Sequence, residues 1–394
     1  MKILHTVEHY YPSIGGMAEV VKHLSEKLVE LGHDITVVTT KHNDRTFSEY
    51  NGVKIEEFEI KGNYVNGIYG IKGELSRYHN FLKNSAFDII TNFAAHQWTT
   101  DACLNILDDI NAKKVFVPTG FSRLYDENFA DYFEKMKVWL EKYDMNVFLS
   151  DNYRDINFAR ENGVEKRILI PNGAEEREFS TKYPGNIREE LGIPKENLLI
   201  LHVGSHTGAK GHKEAFEIFE KANISNASFV ISANDFGDKC TKQCKKREIY
   251  FKLNLKRIFD KKQFIVDEFS RERTVALYQE ADLFLFPSNI ECSPIVLFEC
   301  MASKTPFLTS DVGNSAEIIK WSNAGKLLPT TKQTEGAGLA FVDIEKSVRI
   351  LENIFQDYEK RKLYAQNGFK SWKEKFSWEK IAKEYEKMYL NLYK

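Results

Sequence analysis

Short apolar runs alternate along the whole chain with longer segments of helical periodicity. This alternation is typical of parallel sheets whose strands are buried on both faces and are connected by helices. The runs fall into two groups, which predicts an α/β chain with two doubly wound, Rossmann-like domains. The predicted strands are 2–7, 34–39, 88–93, 114–119 and 145–150 in the first group, and 198–204, 227–233, 263–269, 283–287 and 306–309 in the second.

The join between the two groups is expected near 171–173 and in the polar stretch that follows to Gly185, where proline, glycine and charged residues cluster. We therefore place an N-terminal domain at 1–175 and a C-terminal domain at 176–376. The last helix, predicted at 377–394, carries apolar residues at helical spacing and must pack on another part of the chain. We expect it to return to the first domain.

The composition is that of a globular protein. The 394 residues are 42% hydrophobic and 28% charged, which argues against disorder and, by length, favours two domains. A net charge of -2 argues against dedicated nucleic-acid binding. The start of the chain is interrupted too early by Glu8 and His9 for a secretory signal, so we expect a cytoplasmic protein.

The five cysteines predict reduced thiols, because an odd number forms no paired framework. Cys240 and Cys244 are spaced to meet on a helix, but no histidine cluster or second cysteine pair lies near them in sequence. Four ligands are needed for structural zinc, so we expect no metal site and no cofactor. The chain also lacks an Asp-x-Asp pair, the arrangement that holds a divalent metal on diphosphate in another class of sugar-transfer enzymes.

The segment 291–299 predicts an anion site at the start of a helix. It follows the buried strand 283–287 and contains Ser293, a favoured N-cap residue, and Pro294, which is favoured at the first helical position. The free amides of Ile295 and Val296 would then point into the crevice above the sheet, and such a helix start attracts phosphate.

Two carboxylates flank this helix start. Glu299 falls in the second turn of an otherwise apolar helix, where an unpaired charge would be costly, so we expect it to bind the hydroxyls of a ribose beside the phosphates. Glu291 precedes the helix and would face the sugar. The alternative is that both are ordinary surface glutamates.

Two glycine-containing loops follow predicted strands. Gly15 and Gly16 precede a predicted helix at 17–31 and are expected to present bare amides to a phosphate or sugar, unless they only form a tight turn. The second loop, 204–211, contains Gly204, Ser205 and Lys210. Since ligands of open α/β sheets bind at the carboxyl ends of strands, Lys210 would place a charge on a diphosphate; the alternative is an exposed lysine.

Together these residues resemble glycosyltransferase family 4, the retaining nucleotide-sugar transferases of GT-B fold, over nearly the whole chain. The motifs that carry the resemblance are 11–16, 32–38, 170–173, 203–204 with 210–211, 287–299, 311–313 and Glu317. The resemblance implies an N-terminal acceptor domain and a C-terminal donor domain facing each other across a cleft. It also implies that Glu299 binds the ribose, Glu291 the transferred sugar, Lys210 the diphosphate and the amides after Ser293 the distal phosphate.

Three positions depart from the family pattern. Ser205 stands where arginine is usual, Thr119 where a sugar-contacting histidine is expected, and Lys304 where glycine is usual. His96, in the loop after the preceding strand, is a candidate replacement for the missing imidazole, or else an ordinary hydrogen-bonded histidine. His96, Thr119 and Arg123 form the predicted acceptor site, and Ser205 belongs to the predicted donor site. The aromatic residues near the acceptor site are either sugar-stacking or core: Phe121, Tyr125 and Phe129.

The favoured function is a metal-independent, retaining transfer of a sugar from a nucleotide-diphosphate donor to a glycan or lipid-linked glycan. A catalytically silent protein that binds nucleotide-sugar or glycan and acts through partners is the alternative. An epimerase or hydrolase fits less well, because no dedicated acid and base residues can be placed. The segment 239–262 holds ten lysines or arginines among apolar residues, which predicts either a solvated helix or peripheral contact with an anionic membrane at the inner face.

Overall fold

The computed structural model describes residues 1–234, 237, 239–254, 259–333 and 338–394, except for the side chain of Asn66. The chain divides into two compact units. Unit 1 contains Met1–Asn172 and Trp378–Lys394. Unit 2 contains, within the described ranges, 173–333 and Gly338–Ser377.

Unit 1 is built on one twisted sheet with a small additional strand pair. Its strands are β1 (Lys2–Thr6), β2 (Asp34–Thr40), β3 (Glu49–Tyr50), β4 (Val53–Phe58), β5 (Ile60–Lys61), β6 (Lys72–Gly73), β7 (Ile89–Phe93), β8 (Lys113–Val117), β9 (Met145–Phe148) and β10 (Arg167–Leu169). The sheet order is β10-β9-β8-β7-β1-β2-β4-β3, while β5 and β6 pair separately. Neighbours in the sheet run parallel, except that β3 is antiparallel to β4.

The sheet of unit 1 reverses its winding between β1 and β7. From β1 the chain adds β2 on one side, and it later adds β7 and β8 on the other. Every residue of β7 is buried, as expected for a strand covered on both faces. The covering helices are α1 (Gly16–Glu30), α2 (Leu75–Asn84), α3 (Trp98–Asp101), α4 (Ala130–Lys142) and α5 (Arg154–Glu161). Loops that leave the carboxyl ends of β1 and β7 therefore meet at the switch point, where ligands of such sheets bind.

Unit 2 repeats this design with a six-stranded parallel sheet. Its strands are β11 (Leu198–Val203), β12 (Ala227–Ser232), β13 (Lys262–Asp267), β14 (Leu283–Phe286), β15 (Phe307–Ser310) and β16 (Gly325–Leu328), and the antiparallel pair β17 (Thr330–Lys332) and β18 (Ala340–Val342). The order β13-β12-β11-β14-β15-β16 places the switch point between β11 and β14. The loops after these two strands contain Lys210 and Glu291.

The helices in the described part of unit 2 flank this sheet. They are α6 (Glu176–Ser180), α7 (Ile187–Glu190), α8 (His212–Lys221), α9 (Lys239–Lys252), α10 (Arg271–Glu280), α11 (Ile295–Ala302), α12 (Ser315–Ser322), α13 (Ile344–Gln356) and α14 (Tyr358–Ser371), which is followed by one π-helical turn at Trp372–Phe376. All ten predicted strands are present, so the predicted fold class of doubly wound parallel sheets is confirmed. Within the described ranges, no helix has both the length and the apolar character needed to cross a bilayer.

The final helix, α15 (Trp378–Tyr393), packs on α1 within unit 1. His33, in the turn between α1 and β2, approaches Glu386 with 3.0 Å between Nε2 and Oε1. The buried hydroxyl of Tyr389 lies 2.7 Å from Oγ1 of Thr91 on β7. The apolar positions of α15 are thus used to close the core of unit 1.

Candidate active site

The loop 204–211 packs closely on the loop that follows β14. Gly211 has φ +72°, and a Cβ atom built on it would lie 2.0 Å from the carbonyl oxygen of Pro287. The amide of Asn289 donates to the carbonyl of Ala209 at 2.8 Å. Only glycine fits at position 211, because both the left-handed backbone and the close approach exclude a side chain.

The closely packed loops bring Lys210 and Glu291 into contact. Nζ of Lys210 lies 2.7 Å from Oε1 of Glu291. The hydroxyl of Ser288 donates to the same carboxylate oxygen at 2.8 Å. The Glu291 side chain is 10% exposed and that of Lys210 is 29% exposed. The two residues were assigned separate partners from the sequence; in this structure each is the partner of the other, at the switch point of the sheet.

The helix after Glu291 begins one residue later than expected. Helix α11 starts at Ile295, and Pro294 occupies the cap position without a side-chain cap. The N-cap role of Ser293 is therefore wrong: the first bond of the helix runs from the Leu297 amide to the Pro294 carbonyl, and Oγ of Ser293 instead accepts from Nδ2 of Asn314 at 3.1 Å. The amides of Ile295 and Val296 precede the first intrahelical donor, so the helix start remains electropositive.

A third loop completes the surroundings of Glu291. Gly313, after β15, has φ +54°, and a Cβ atom there would lie 2.2 Å from the carbonyl oxygen of Cys292. The amide of Asn314 donates to the same carbonyl at 2.8 Å. The segment 291–293 is consequently fixed from both sides, by the loop after β11 and by the loop after β15.

Glu299 is buried as expected, but it is not without a cationic partner. It is 4% exposed on α11, and Nη2 of Arg271, at the start of α10, lies 2.6 Å from its Oε1. The same Arg271 nitrogen lies 2.6 Å from Oε2 of Glu178. Burial by itself would lower the pKa of Arg271, but the two carboxylates outweigh it and hold that pKa well above its usual value. The expectation that Glu299 is a lone carboxylate is wrong, and Arg271 is a site residue that sequence reasoning missed.

In unit 1, the loops after β7 and β8 contain several residues with left-handed backbone. The non-glycine residues are Ala94 and His96 in the first loop, and Thr119 and Phe121 in the second. Such residues cost about 1–3 kcal/mol each and are found where the surrounding structure enforces them, often at functional sites. The predicted acceptor residues His96 and Thr119 are both in this set.

Two buried carboxylates fix these loops, and neither was identified from the sequence. Asp101 accepts hydrogen bonds from the His96 amide at 3.2 Å and from the Tyr132 hydroxyl at 2.9 Å. Asp155 accepts from the Gly120 amide at 2.8 Å. Both are at most 1% exposed. The loops are therefore held by interior anchors rather than by their own turn residues.

The imidazole of His96 is packed among aromatic rings. Its ring centroid lies 4.9 Å from that of Phe129, 4.8 Å from that of Tyr132 and 5.6 Å from that of Phe133. Burial lowers the pKa of His96 to about 4, so the side chain is neutral at physiological pH. Its Nε2 has no hydrogen-bond partner within the described part of the chain.

The aromatic residues after Thr119 divide into core and surface. Phe121 and Phe129 are 1% and 9% exposed and belong to the core, so a sugar-stacking role for them is wrong. Tyr125 is 54% exposed, beneath the guanidinium of Arg154. Arg123 is exposed, and its Nη1 lies 3.3 Å from Oδ2 of Asp126.

The glycine pair at the start of α1 does not need glycine for its backbone conformation. Gly15 has an extended φ of 168°, and Gly16, the first helical residue, is not left-handed. Neither glycine is therefore required at this turn by a left-handed backbone. A Cβ atom on Gly15 would have no neighbour within 4 Å, so the absent side chain leaves open space beside the carboxyl end of β1.

Two family models match the chain and together cover most of it. The model described as Glycosyltransferase Family 4 matches residues 14–177, and that described as Glycosyl transferases group 1 matches residues 185–371. The chain is also 25% identical to an uncharacterised glycosyltransferase of Methanocaldococcus jannaschii, over 98% of this chain and 96% of the relative. The chain belongs to glycosyltransferase family 4. It is thus an enzyme that transfers a sugar, as predicted.

Solved structures of other proteins have the same fold as this family 4 chain. A sucrose-phosphate synthase from Thermosynechococcus elongatus matches with a TM-score of 0.78 at 18% identity, over 100% of this chain and 99% of that one. Anabaena HepE in complex with UDP-glucose matches with a TM-score of 0.74 at 15% identity, over 99% and 100%. At these identities the likeness establishes the GT-B fold.

One departure from the family 4 pattern leaves the local backbone unchanged. Lys304, which stands where the family usually has glycine, is left-handed with φ 61°. The amide of Thr305 donates to the carbonyl of Cys300 at 2.8 Å, and that of Lys304 to Met301 at 3.3 Å, which is the Schellman arrangement at a helix end. The turn expected from the family is therefore retained despite the lysine.

The close packing of Gly211 gives a prediction for this family 4 site. Gly211→Ala is expected to destabilise unit 2 and to weaken nucleotide binding at least about tenfold, because strain and the 2.0 Å clash with Pro287 displace the loop. Gly208→Ala is the matched control, since Gly208 also has positive φ but no neighbour within 4 Å of its Cβ position. Thermal unfolding and nucleotide titration check both variants. Equal effects would mean that close packing is not what requires glycine at 211.

Asp101 gives a pH prediction. Burial raises its pKa to about 7, against the opposing hydrogen bonds from Tyr64, Tyr132 and His96. Its stabilising contribution is therefore complete below the unfolded pKa near 4 and is lost as the pH rises to about 7, at about 1.4 kcal/mol per pH unit. Urea unfolding at several pH values should show this slope in the parent and not in Asp101→Asn.

The control for the pH experiment is Asp109→Asn, whose carboxylate is 55% exposed beside Lys83. We expect this variant to keep the slope of the parent. A parent protein whose unfolding free energy is constant between about pH 4 and 7 would show that Asp101 is ionised in the folded state.

Proposed function

We propose that this enzyme transfers a sugar from a nucleotide-diphosphate sugar to a hydroxyl of a glycan or lipid-linked glycan, with retention of configuration. The observation that carries the proposal is the placement of Lys210, Glu291 and the open start of α11 around one switch point. This combines a cation, helix amides and a carboxylate, which together suit a diphosphate linked to a sugar. The structure of HepE with UDP-glucose supports the same class of donor.

The donor would be bound mainly by unit 2. Lys210 contacts the diphosphate, the amides of Ile295 and Val296 beside Ser293 contact the distal phosphate, and the carboxylate of Glu291 accepts from the hydroxyls of the sugar. The bound donor would therefore replace part of the contact between Lys210 and Glu291. Lys210 would exchange the carboxylate for the diphosphate, and Glu291 would exchange the ammonium group for the sugar hydroxyls.

The ribose and the outer parts of the donor involve further residues. Glu299 has two carboxylate oxygens, and its ion pair with Arg271 uses Oε1, so Oε2 would accept from the ribose hydroxyls. The backbone of Gly204 and Ser205 lies at the end of β11 and would border the diphosphate. In unit 1, the open space at Gly15 would let a phosphate or sugar approach the backbone of Gly15 and Gly16.

The proposed chemistry needs no nucleophilic side chain. The acceptor hydroxyl attacks the anomeric carbon on the face that the diphosphate leaves, the bond from carbon to the phosphate oxygen breaks, and that oxygen takes the proton of the hydroxyl. The enzyme positions the reactants and stabilises the charge that develops on the diphosphate. Lys210 and the helix amides would supply this stabilisation without a metal ion at the diphosphate.

The acceptor would be bound by unit 1, at the loops after β7 and β8. His96 and Thr119 occupy left-handed positions there, and Arg123 adds an exposed guanidinium. A neutral imidazole and a hydroxyl are suited to hydrogen bonds with sugar hydroxyls.

The test is nucleoside-diphosphate release from a panel of UDP-, GDP- and ADP-sugars, with and without glycan acceptors. Release that depends on an acceptor, unchanged on addition of Mg²⁺ or Mn²⁺, is expected, and the anomeric configuration of the product should equal that of the donor by NMR. Nucleotide binding without turnover on any acceptor would instead support the catalytically silent alternative, and an inverted product would contradict the retaining mechanism.

We also propose peripheral membrane contact through α9. Ile249, Tyr250 and Leu253 are 60–73% exposed, and Phe259 is 87% exposed, beside the exposed lysines of α9. Phe251, also in the predicted basic segment, is buried and anchors the helix, while residues 255–258 of that segment lie outside the described residues. Flotation with anionic liposomes but not with zwitterionic ones is expected; equal recovery with both would contradict membrane contact.

A further inference from the structure

Two histidines and two cysteines of unit 2 form a cluster at the loop 204–211. They are His206 in that loop, His212 at the start of α8, and Cys240 and Cys244 on α9. Each residue offers one possible ligand atom, and these four atoms all lie within 4.8 Å of one another. His206, His212 and Cys244 are at most 3% exposed. The spacing of four residues places both thiols on one face of α9.

The distances within this cluster fit a tetrahedral metal site. Nδ1 of His206 and Nδ1 of His212 each lie 3.4 Å from Sγ of Cys240. A zinc ion at about 2.3 Å from sulfur and about 2.05 Å from nitrogen places neighbouring sulfur and nitrogen ligands about 3.5 Å apart. The two observed separations therefore correspond to edges of such a tetrahedron. Hydrogen bonds between the two imidazoles and Cys240 would account for these two contacts. They would not account for the presence of a second thiol, that of Cys244, in the same cluster.

The orientation of His212 supports ligation through Nδ1. Its Nε2 lies 3.1 Å from the carbonyl oxygen of Gly204, an acceptor that requires the proton to be on Nε2. Nδ1 then carries the free lone pair and points towards Cys240. Metal-binding histidines are generally fixed in this way, with the second ring nitrogen donating to a carbonyl or carboxylate.

We propose that His206, His212, Cys240 and Cys244 bind one Zn²⁺ ion at a structural site. Two imidazoles and two thiolates form a closed tetrahedral set, which leaves no open coordination position for catalysis. The two thiolates neutralise the ion, so the site adds no net charge near Lys210. Its role is to tie α9 to the loop 204–211.

The expectation of no metal site rests on the absence of further ligands close to Cys240 along the chain. His206 and His212 lie 34 and 28 residues before it. They reach it because β11 and β12 are neighbours in the sheet, which brings the loop after β11 beside the segment that follows β12. The intervening helix and strand hide this proximity from the sequence.

The metal content of the purified protein tests the proposal. Protein expressed with added zinc and purified without chelator should contain about one zinc per chain by mass spectrometry, and Cys240→Ser and Cys244→Ser should each contain less than about a tenth of that. Cys292→Ser is the matched control, because Cys292 is a partly exposed cysteine of the same unit outside the cluster, and it should keep the full content.

Cobalt titration of the metal-free parent gives a test that does not depend on variants being folded. Tetrahedral cobalt with two thiolates should show strong d–d absorption together with sulfur-to-cobalt charge transfer, and zinc should displace it at one equivalent. Absence of zinc in the zinc-supplemented parent together with absence of these bands would overturn the proposal. Equal metal loss in Cys292→Ser would overturn it as well. Neither the metal content nor the cobalt titration depends on sugar transfer. The failure of this proposal can therefore be distinguished from the failure of the proposed function.

Discussion

Replacing Lys210 by methionine is expected to lower kcat for sugar transfer by at least about tenfold, and up to about 10²–10³-fold if the ammonium acts mainly on the departing diphosphate. The Lys210 side chain is 29% exposed and is oriented by Glu291 at 2.7 Å. A preorganised charge of this kind stabilises developing negative charge more than a solvated one does. Methionine keeps the aliphatic stem that packs against Gly204, so the change removes the charge and little else. Steady-state kinetics with saturating donor measure the effect.

Lys213→Met is the control for this substitution. Lys213 is an exposed lysine three residues further along, on α8, so its loss changes the net charge equally. We expect its kcat to be that of the parent. Parental turnover in Lys210→Met would mean that Lys210 does not stabilise the diphosphate.

The positions of the main strands along the chain were predictable because parallel strands that are buried on both faces are continuous apolar runs. β11 and β14, which define the switch point of unit 2, were located to within one residue of their observed ends. The pattern did not predict the strands β3, β4, β5, β6, β10, β16, β17 and β18. β3, β5 and β6 have only two residues each, and β4 alternates buried with more exposed residues instead of forming a continuous apolar run. Their formation depends on neighbouring strands, and a local pattern cannot reveal it.

The site was predictable where its residues are close in sequence and not where the fold brings distant residues together. The loop 204–211 follows a predicted strand and contains glycines and a lysine, and the segment 291–299 follows another strand and contains a helix start with two carboxylates. The contacts of Glu299 with Arg271 and of His96 with Asp101 did not follow, since many arginines and aspartates could have been the partner. Even the local cap at Ser293 failed, because Asn314, on another loop, binds its hydroxyl.

Arg271 gives the largest expected effect on stability. Replacing it by methionine should lower the free energy of unfolding of unit 2 by about 2–4 kcal/mol, because Glu299 would remain as a buried carboxylate without a cation. Glu178 would lose the same partner. Denaturant unfolding at constant pH measures the change. Nucleotide affinity should fall as well, at temperatures where the variant is folded, if the ion pair also orients Glu299 towards the ribose.

Arg273→Met separates this effect from that of an ordinary ion pair. Arg273 lies on the same helix and pairs with Glu190 at 3.1 Å, and both side chains are about one-third exposed, so its loss should cost only about 0–1 kcal/mol. The double variant Arg271→Met/Glu299→Gln should recover part of the stability, since the buried charge is removed together with its partner. If Arg271→Met is as mild as Arg273→Met, then Glu299 is stabilised by its other surroundings, and a role for Arg271 in orienting it would have to be abandoned.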